Sequence, residues 1–264
     1  MSSSLANRIA LITGGGRGLG RHVALGLAQR GASVAVVARS GDEVQEAVEF
    51  IAQSGGKAWG MPLDVSEPEA VDQFRNRLLA ELGPPTILVN AAGTFGPIKL
   101  IRDSDPQRWI DTLRTNAIGP YLVCRAFIDG MIAAGWGRII NFSSAASLHQ
   151  PGPLTSAYAT SKVALNHFTR HLAAELDGTG VTANVIHPGE VKTGMWAEIR
   201  DSAAVIPGAE PLRQWAAEVG EQGGDDPQLA LDLVNGIIDG QHAAATGQFL
   251  WIAGGRQTPT RSWD

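Results

Sequence analysis

Tyr158 and Lys162, in the segment Tyr158-Ala159-Thr160-Ser161-Lys162, are the residues of this chain best suited to proton chemistry. Residues four apart share one face of a helix, so the phenol and the ammonium can project into the same cleft. Lowering the pKa of a free tyrosine from about 10 to about 7 takes roughly 4 kcal/mol. A unit charge about 4 Å away supplies approximately that at an effective dielectric of about 20. Such a pair also occurs on ordinary helices, so its meaning depends on the surrounding residues.

Two further polar residues favour a functional role for this pair. Ser144 follows a predicted strand, in Ile139-Ile140-Asn141-Phe142-Ser143-Ser144. Asn116 lies inside a predicted long helix, although asparagine is a poor helix former. We therefore treat Asn116, Ser144, Tyr158 and Lys162 as a candidate catalytic set.

A glycine-rich turn, Thr13-Gly14-Gly15-Gly16-Arg17-Gly18-Leu19-Gly20, follows the first predicted strand and opens a helix. Glycines let the backbone turn sharply and approach a pyrophosphate, and the free N–H groups of the helix start face the anion. The spacing Gly14-x3-Gly18-x-Gly20 differs from the G-x-G-x-x-G of long-chain dehydrogenases. A glycine run alone could be a plain turn, but this position favours dinucleotide binding.

The end of the second predicted strand indicates which dinucleotide binds. An NAD site usually places Asp or Glu there, whereas this chain has Ala38-Arg39-Ser40. Arg39 and Arg17 could clamp a 2′-phosphate through charge-assisted hydrogen bonds, or could be solvated surface charges. The nearest acid belongs to Ser40-Gly41-Asp42-Glu43, which is typical of a capping box at a helix start. We therefore predict NADP(H) as the cofactor.

Two more strand ends carry residues that suit a dinucleotide. Asp64 and Val65 follow the third predicted strand, and Asn90-Ala91-Ala92-Gly93 ends the fourth. Ligands of parallel sheets bind outside the carboxyl ends of the strands. Asp64 can accept from an adenine amino group, and the small residues of 90–93 let a base or ribose approach. Each has an ordinary turn explanation when taken alone, but their shared edge favours binding.

Predicted strands and helices alternate along the chain, and the candidate functional residues lie mostly at their ends. Strands are predicted at residues 9–13, 34–38, 58–62, 87–90, 138–142, 182–186 and 248–252, and helices at 18–30, 42–53, 67–82, 106–134, 157–177 and 227–238. This alternation predicts βαβ units with right-handed crossovers. We expect an α/β fold with a single doubly wound, Rossmann-like parallel sheet of about seven strands and helices on both faces.

One domain, residues 1–264, is the simplest organisation, because no Pro/Ser-rich linker or internal repeat divides the chain. Residues 194–224 interrupt the alternation and are called the flap segment below. Long insertions in compact domains are usually lids, binding loops or disordered segments. The aromatic residues of this insertion argue against disorder, so we predict a partly helical substrate flap.

Composition excludes several classes of function. The 264-residue chain has a net charge of −5 and no Lys/Arg cluster, which disfavours nucleic acid as a partner. Its apolar runs are far shorter than the roughly 20 residues that span a bilayer. The first five residues lack the features of a signal peptide, and a single cysteine fits a reducing compartment. We expect a soluble, cytoplasmic protein.

Several other residues receive more limited interpretations. His167 and His171 have a spacing that can bind zinc, but no third ligand is apparent, so no metal site is predicted. Cys124 lies in an apolar stretch and is expected to be a buried structural thiol. His149 and Trp196 are candidate substrate contacts, because they lie next to the catalytic set and in the flap segment.

The order of these motifs resembles the short-chain dehydrogenase/reductase family, from about Arg8 to Gly255. The combined motifs are highly specific. The resemblance implies that Tyr158 is the general acid/base and that Ser144 orients and polarises the substrate oxygen. It implies that Lys162 lowers the pKa of Tyr158 and binds the nicotinamide ribose. Asn116 would hold a water that links Lys162 to solvent.

The resemblance also assigns the segment His187-Pro188-Gly189-Glu190-Val191-Lys192-Thr193 to the nicotinamide. The expected contacts in this segment are Pro188, Gly189, Val191 and Thr193. The chain departs from the family pattern in two places, since Ala91 replaces a frequent second Asn and His187 replaces a small residue. The family usually assembles through its two long helices, so a homotetramer or homodimer is expected.

The resulting functional hypothesis is an NADP(H)-dependent oxidoreductase that transfers a hydride between nicotinamide and a carbonyl or alcohol carbon of a small molecule. The apolar flap segment favours a hydrophobic ketone or secondary alcohol as substrate. A non-catalytic dinucleotide-binding sensor or scaffold protein is the alternative, and dehydration or epimerisation with a retained cofactor is a third reading.

Overall fold

The computed structural model describes residues 4–253 and 255–257 of the chain. Residues 1–3, 254 and 258–264 of the predicted domain lie outside the described residues. The strands are β1 (Ile9–Thr13), β2 (Ser33–Ala38), β3 (Lys57–Pro62), β4 (Ile87–Asn90), β5 (Gly137–Phe142), β6 (Val181–His187), β7 (Phe249–Trp251) and β8 (Gly255–Gln257).

All eight strands belong to one sheet with the order β3-β2-β1-β4-β5-β6-β7-β8. Strands β1 to β7 pair in parallel, and β8 pairs antiparallel with β7. The predicted doubly wound sheet of about seven parallel strands is therefore confirmed, and the short β8 is an addition to it. The strand order reverses between β1 and β4, which opens a crevice at their carboxyl ends.

The helices are α1 (Gly18–Gln29), α2 (Gly41–Gln53), α3 (Pro68–Glu81), α4 (Pro106–Leu113), α5 (Gly119–Ala133), α6 (Ser156–Glu175), α7 (Gly194–Val205), α8 (Glu210–Gln222) and α9 (Pro227–Asp239). Helices α1, α2 and α9 contribute to the apolar core on one face of the sheet. Helices α3, α5 and α6 contribute to the core on the other face.

The central strands are apolar at successive positions because both faces of the sheet are covered. In β1, Ala10 and Ile12 belong to one core and Leu11 to the other. In β2, Val34 to Val37 are all fully buried. β-branched side chains suit such doubly buried strands, which explains why the sequence pattern located them within a residue or two.

The predicted long helix at 106–134 is wrong in one respect, since a π-helical turn at Arg114–Ile118 separates α4 from α5. Pro120 has no N–H, so it cannot donate the i→i−4 hydrogen bond that an uninterrupted α-helix would direct to the Asn116 carbonyl. The side chain of Asn116, a separate group from this carbonyl, forms two hydrogen bonds with the backbone of Thr94. The interruption therefore coincides with a candidate catalytic residue, as π-turns often do.

The flap segment forms α7 and α8, so the prediction of helical structure there is confirmed. Thr193 caps α7 by accepting a hydrogen bond from Trp196 N. The two helices pack around buried Ile199 and Ala203, together with Leu212 and Trp215. Among the described residues, no helix is both long and apolar enough to cross a membrane.

Candidate active site

A cavity of about 420 Å³ opens at the carboxyl edge of the sheet. It brings together the glycine turn, the ends of β2 and β3, the turn after β4, and the start of α6. The predicted cofactor residues that line it are Gly14, Arg17, Gly18, Leu19, Gly20, Arg39, Asp64, Val65, Ala91, Gly93, Tyr158, Lys162, Pro188 and Thr193. Tyr158 and the glycine turn therefore face one common space.

The glycine turn is shaped by close backbone approaches. Gly14 has φ +65°, and a Cβ there would lie 2.7 Å from the Cα and N of Ala92. A Cβ on Gly20 would lie 2.2 Å from Gly14 O. Gly18 has φ +54°, and its Cβ would come 3.6 Å from Thr193 Cγ2. The turn can therefore present its backbone to a ligand between α1 and the start of α7.

The two arginines of the predicted phosphate clamp differ in their surroundings. Arg17 forms ion pairs with Glu43, at 3.5 Å, and with Glu198, at 3.7 Å. Arg39 is exposed, and it has no hydrogen bond or ion pair among the residues that the structure describes. The guanidinium of Arg39 is thus available to a ligand in the cavity. Ser40 accepts from Glu43 N at 3.3 Å, as the capping interpretation requires.

Two residues predicted to bind the cofactor lie behind the cavity wall. Asn90 is buried and donates to Asn141 Oδ1 at 2.8 Å and to Cys124 Sγ at 3.6 Å. Thr13 is buried, and its Oγ1 accepts from Ala92 N at 3.2 Å. Both side chains support the turn after β4, and their contact with a cofactor stays a prediction.

Tyr158 lies in the first turn of α6 and is 9% exposed. Burial raises the pKa of its phenol, and a hydrogen bond with Ser144 lowers it to a smaller degree. The i,i+4 spacing of Tyr158 and Lys162 predicted a net lowering of this pKa. The direction differs because protein encloses the phenol, while the Lys162 ammonium lies 5.7 Å from the centre of the Tyr158 ring. The roles of Ser144 and Tyr158 in catalysis stay predictions.

Lys162 is one turn further along α6 and is 5% exposed. Its Nζ donates a hydrogen bond of 2.8 Å to the Phe142 carbonyl at the end of β5. Burial lowers the pKa of Lys162 to about 8. The ammonium therefore remains mainly protonated near neutral pH while holding a proton that it can release more readily than a surface lysine can.

Asn116 is fully buried in the π-helical turn. Its amide nitrogen donates to Thr94 O at 2.8 Å and to Ser161 Oγ at 2.9 Å, while its Oδ1 accepts from Thr94 N at 2.9 Å. A Cβ on Gly93 would lie 3.4 Å from Asn116 Oδ1 and 3.7 Å from Lys162 Nζ. Asn116 and Lys162 therefore both lie beside Gly93, but only Gly93 and Lys162 line the cavity.

Residues 8–204 match the sequence model of the short chain dehydrogenase family. The chain belongs to this family. Its sequence is 36% identical to the 3-oxoacyl-(acyl-carrier-protein) reductase FabG of Pseudomonas aeruginosa over 199 residues, which is 75% of this chain and 80% of that protein. The predicted family resemblance is confirmed, and the chain is a short-chain oxidoreductase of the kind that acts on CH-OH and C=O groups with a nicotinamide dinucleotide.

Solved structures of similar short-chain dehydrogenases share the whole fold. A variant of the actinorhodin polyketide ketoreductase with NADPH has a TM-score of 0.85 and 28% identity, covering 96% of this chain and 98% of that one. An NAD+-bound xylitol dehydrogenase also has a TM-score of 0.85, at 26% identity, covering 95% and 99%. These two similar structures hold different dinucleotides, NADPH in the first and NAD+ in the second.

Two side chains that contact the candidate catalytic residues or the segment that carries them were missed by sequence reasoning. Asn166, one turn beyond Lys162 on α6, accepts from Ser143 Oγ at 2.7 Å and donates to Ser147 Oγ at 2.8 Å. Ser147 Oγ in turn donates to Ser144 O at 2.6 Å. Asn166 therefore fixes the segment that carries Ser144. Its i,i+4 spacing from Lys162 was a signal that could have been used.

Phe95 was also missed. Its ring stacks on that of Tyr158, with centroids 4.6 Å apart and an interplanar angle of 30°. The same side chain packs against the apolar cluster of the flap segment, together with Met195. Phe95 thus connects the ring of Tyr158 to α7. A single aromatic residue in a loop gives no periodic pattern, so its position could be found only in three dimensions.

Of the predicted substrate residues, Tyr158 lines the cavity described above, whereas Ser144, His149 and Trp196 do not. His149 is exposed, and its ring centroid lies 6.4 Å from that of Trp251. Trp196 is half-buried, with the Arg200 guanidinium 4.8 Å from its ring centroid. Their contact with substrate stays a prediction, as does the contact of Gly189 and Val191 with the cofactor, because neither of these two residues lines the cavity.

His187, the unusual residue before Pro188, is buried at the end of β6. It is the register partner of Trp251 on β7, and the two rings meet edge to face with centroids 4.8 Å apart. Burial lowers the pKa of His187 to about 4, so the imidazole is neutral at physiological pH. It fills space as an uncharged ring at the end of β6, directly before the segment 188–193.

Two other predictions from the sequence concern His167 with His171, and Cys124. The histidine rings lie edge to face on α6, with their Nε2 atoms 3.2 Å apart. Within the part of the chain that the structure describes, no three His, Cys, Asp or Glu residues group as metal ligands. Cys124 is buried, and burial raises the pKa of its thiol to about 12, which confirms a structural thiol.

Proposed function

We propose that this chain is an NADP(H)-dependent reductase or dehydrogenase that interconverts a hydrophobic ketone and a secondary alcohol. The observation that carries the proposal is the common cavity, which is lined by Tyr158 and Lys162 and by the glycine turn. Ser144 lies close enough to lower the pKa of the Tyr158 phenol, and it would supply a second hydroxyl to the substrate. A phenol, an ammonium and a dinucleotide turn in one cavity match the needs of reversible carbonyl reduction.

The cofactor, when bound, supplies or accepts the hydride at its nicotinamide ring. In the reducing direction, Tyr158 donates its proton to the oxygen of the substrate as negative charge develops there. Ser144 donates a second hydrogen bond to that oxygen, which stabilises the transition state. In the oxidising direction, Tyr158 must accept a proton, and the nearby positive charges of Lys162 and of an oxidised nicotinamide favour its ionised form.

Lys162 would replenish the proton of Tyr158. Its ammonium has a pKa close to physiological pH, at about 8, which suits a group that passes protons on. We propose that Asn116 assists by directing its backbone carbonyl toward a bound water, because Pro120 removes the i→i−4 donor of that carbonyl. The side-chain hydrogen bonds of Asn116 to Thr94 and Ser161 would hold the carbonyl in place.

Conversion of Tyr158 to phenylalanine tests the chemistry. The variant keeps the ring that stacks on Phe95 but loses the hydroxyl, so NADPH affinity is retained while most turnover is lost. NADPH oxidation with a panel of ketones measures this directly. A Tyr158→Phe enzyme with turnover near that of the wild type would contradict the proposed role of the phenol.

NADP(H) is proposed over NAD(H) because Arg39 is an exposed cation that faces the cavity directly after β2. Arg17, which the sequence analysis paired with Arg39, is already engaged by Glu43 and Glu198. A charge-assisted hydrogen bond from a guanidinium to a 2′-phosphate contributes about 1.5–3 kcal/mol, which corresponds to a preference of roughly 10- to 150-fold.

Arg39→Asp tests this assignment. We expect kcat/KM for NADPH to fall far more than kcat/KM for NADH, because the new carboxylate repels a phosphate and can accept from ribose hydroxyls. Arg77→Asp is a matched control, since Arg77 is an exposed arginine on α3 that forms an ion pair with Glu81. An unchanged NADPH/NADH ratio in Arg39→Asp would refute the assignment.

A hydrophobic substrate is proposed because apolar side chains surround the catalytic phenol. Phe95 stacks on Tyr158, and it packs into a cluster with Ile98, Leu154 and Met195 that continues into the flap segment. Such a wall favours aromatic or aliphatic ketones over hydrated sugars. A substrate panel ranked by kcat/KM tests this, and a free sugar as the best substrate would exclude it.

The alternative function is a dinucleotide-binding sensor or scaffold protein without catalysis. A sensor needs the glycine turn and Arg39 but not the set of Ser144, Tyr158 and Lys162. Tight NADPH binding without oxidation by any ketone in the panel would favour the sensor. Product formation without net change in cofactor absorbance would instead indicate dehydration or epimerisation.

We also propose self-association, as a homotetramer or homodimer, and a cytoplasmic location. Large apolar side chains are exposed on and beside α5 and α6, namely Ile118, Tyr121, Ile132 and Val163. Self-association would remove these side chains from water. Light scattering coupled to size-exclusion chromatography measures the assembly, and a monomer at micromolar concentration would contradict it.

A further inference from the structure

A reciprocal pair of hydrogen bonds joins the end of the flap segment to the loop 188–193, which is proposed to contact the nicotinamide. Asp225, directly after the flap segment, donates its backbone N–H to Glu190 O at 3.1 Å. Glu190 returns its own N–H to Asp225 Oδ2 at 2.7 Å. Asp225 therefore pairs with both the backbone N–H and the backbone carbonyl of Glu190. We call this pair of hydrogen bonds the Asp225–Glu190 clamp.

Glycines on both sides permit this close approach. Gly224 has φ +71°, and a Cβ there would lie 2.8 Å from Glu190 O. Gly189 has φ +92°, and a Cβ there would lie 2.8 Å from Asp225 Oδ2. Any side chain at either position would push the two segments apart. The local sequence is thus suited to the clamp on both of its sides.

The clamped loop forms part of the cavity wall. Its two ends, Pro188 and Thr193, both line the cavity, and Thr193 approaches the glycine turn at Gly18. Glu190 lies between these ends and does not line the cavity itself. A second contact reinforces the arrangement, because Lys192 Nζ donates to Gly220 O of α8 at 2.6 Å.

We propose that Asp225 is a positioning residue that holds the loop 188–193 in the shape required for the nicotinamide end of the cofactor, and so couples cofactor binding to the flap segment. Asp225 does not line the cavity, so it acts through Glu190 and the ends of the loop. This inference rests on the proposed dinucleotide site. A loop without the clamp has more conformations to lose on binding, and binding weakens accordingly.

Three variants separate the hydrogen bond from charge and from general stability. Asp225→Ala removes the acceptor, Asp225→Asn keeps a side-chain oxygen without the charge, and Asp226→Ala is the matched control. Asp226 is the neighbouring carboxylate, which caps α9 through Gln228 N at 2.9 Å and does not bond to Glu190. Titration of NADPH fluorescence measures affinity, and trypsin cleavage after Arg200 and Arg213 reports the state of the flap segment.

We expect Asp225→Ala to bind NADPH about tenfold more weakly, as the loss of one hydrogen bond to a constrained N–H predicts. NADPH should protect the flap segment from trypsin in the wild type but much less in Asp225→Ala. Asp225→Asn should restore both properties, whereas Asp226→Ala should lower Tm and leave affinity unchanged.

Affinity of Asp225→Ala within about twofold of the wild type would overturn the inference, as would an Asp225→Asn variant as weak as Asp225→Ala. If Asp225→Ala does not fold, Asp225→Glu replaces it, because the longer side chain keeps the charge but moves the oxygen away from Glu190 N. Its affinity should then be reduced, and wild-type affinity would overturn the inference. A wild-type protein that binds neither NADPH nor NADH would instead refute the proposed function.

Discussion

Lys162 imposes a stability cost that can be measured separately from catalysis. Burial lowers its pKa from 10.5 to about 8, and a change of one in pKa corresponds to about 1.4 kcal/mol. The protonated side chain therefore costs about 3 kcal/mol of folding free energy at neutral pH. This figure is a net cost, which already includes the hydrogen bond from Lys162 Nζ to the Phe142 carbonyl.

The sign of the pH dependence follows from the direction of the pKa. The folded protein binds this proton less tightly than the unfolded chain does, so wild-type stability rises as pH passes through about 8 toward 10.5. Lys162→Met has no titrating group there and lacks this increase. The stability of the variant relative to the wild type should therefore fall by about 1 kcal/mol between pH 7 and pH 9.

Urea unfolding at pH 7, 8 and 9 measures this difference, because all other titrating groups are shared by the two proteins. Tyr158 does not interfere, since burial raises the pKa of its phenol. Lys99→Met is the control, as Lys99 is exposed and its loss changes the net charge equally. A stability difference that stays constant from pH 7 to pH 9 would refute the cost assigned to burial of Lys162.

Three further predictions concern other parts of the site. Asn166→Ala should lower kcat about tenfold with little change in NADPH affinity, because it releases the segment that carries Ser144; steady-state kinetics would contradict this if only KM changed. Gly14→Ala should lower Tm, since Gly14 has a positive φ and no room for a Cβ. Gly93→Ala should keep Tm, because a Cβ there meets only ordinary van der Waals contacts. It should nevertheless weaken NADPH binding, because Gly93 lines the cavity and the added methyl group takes up space there. Cys124 should resist iodoacetamide at pH 8 in the folded protein and react after unfolding, because burial raises the pKa of its thiol to about 12; rapid labelling of the native protein would exclude that burial.

The sheet could be predicted from sequence because its strands are short, apolar and separated by helices with clear periodicity. The predicted bounds of β1 and β4 agree with the structure, and those of β2, β3, β5, β6 and β7 differ by one residue at one or both ends. The antiparallel β8 was not predicted. Its three residues, Gly255–Gln257, are too few to give an alternating pattern.

The candidate site was predictable where chemistry depends on local spacing. The glycine turn is one continuous stretch of eight residues, and Tyr158 and Lys162 lie one turn apart on a single helix, so local geometry alone brings each set together. Arg17 shows the limit of such reasoning, because its partners Glu43 and Glu198 come from α2 and α7. A sequence pattern does not reveal which long-range carboxylates compete for a guanidinium.

The long helix at 106–134 was mispredicted for a physical reason that the sequence did contain. Asn116 and Pro120 each weaken an α-helix, but helical periodicity on both sides outweighed them in the prediction. The structure resolves the conflict with a π-helical turn that separates α4 from α5. Local conflicts of this kind tend to mark functional positions.

The buried amides of Asn90 and Asn141 have a consequence for how the chain finds its fold. They are register partners on β4 and β5, and Asn141 Nδ2 continues the connection to Thr169 Oγ1 on α6 at 2.8 Å. If the two strands slid past each other by two residues, each amide would lose its partner in an apolar interior, at about 1–3 kcal/mol apiece. Shifted alignments are therefore disfavoured during folding, and the helix that carries Tyr158 is prevented from rotating about its own axis. The hydrogen bonds that fix the register of β4 and β5 therefore also help to fix the position of Tyr158 relative to the sheet.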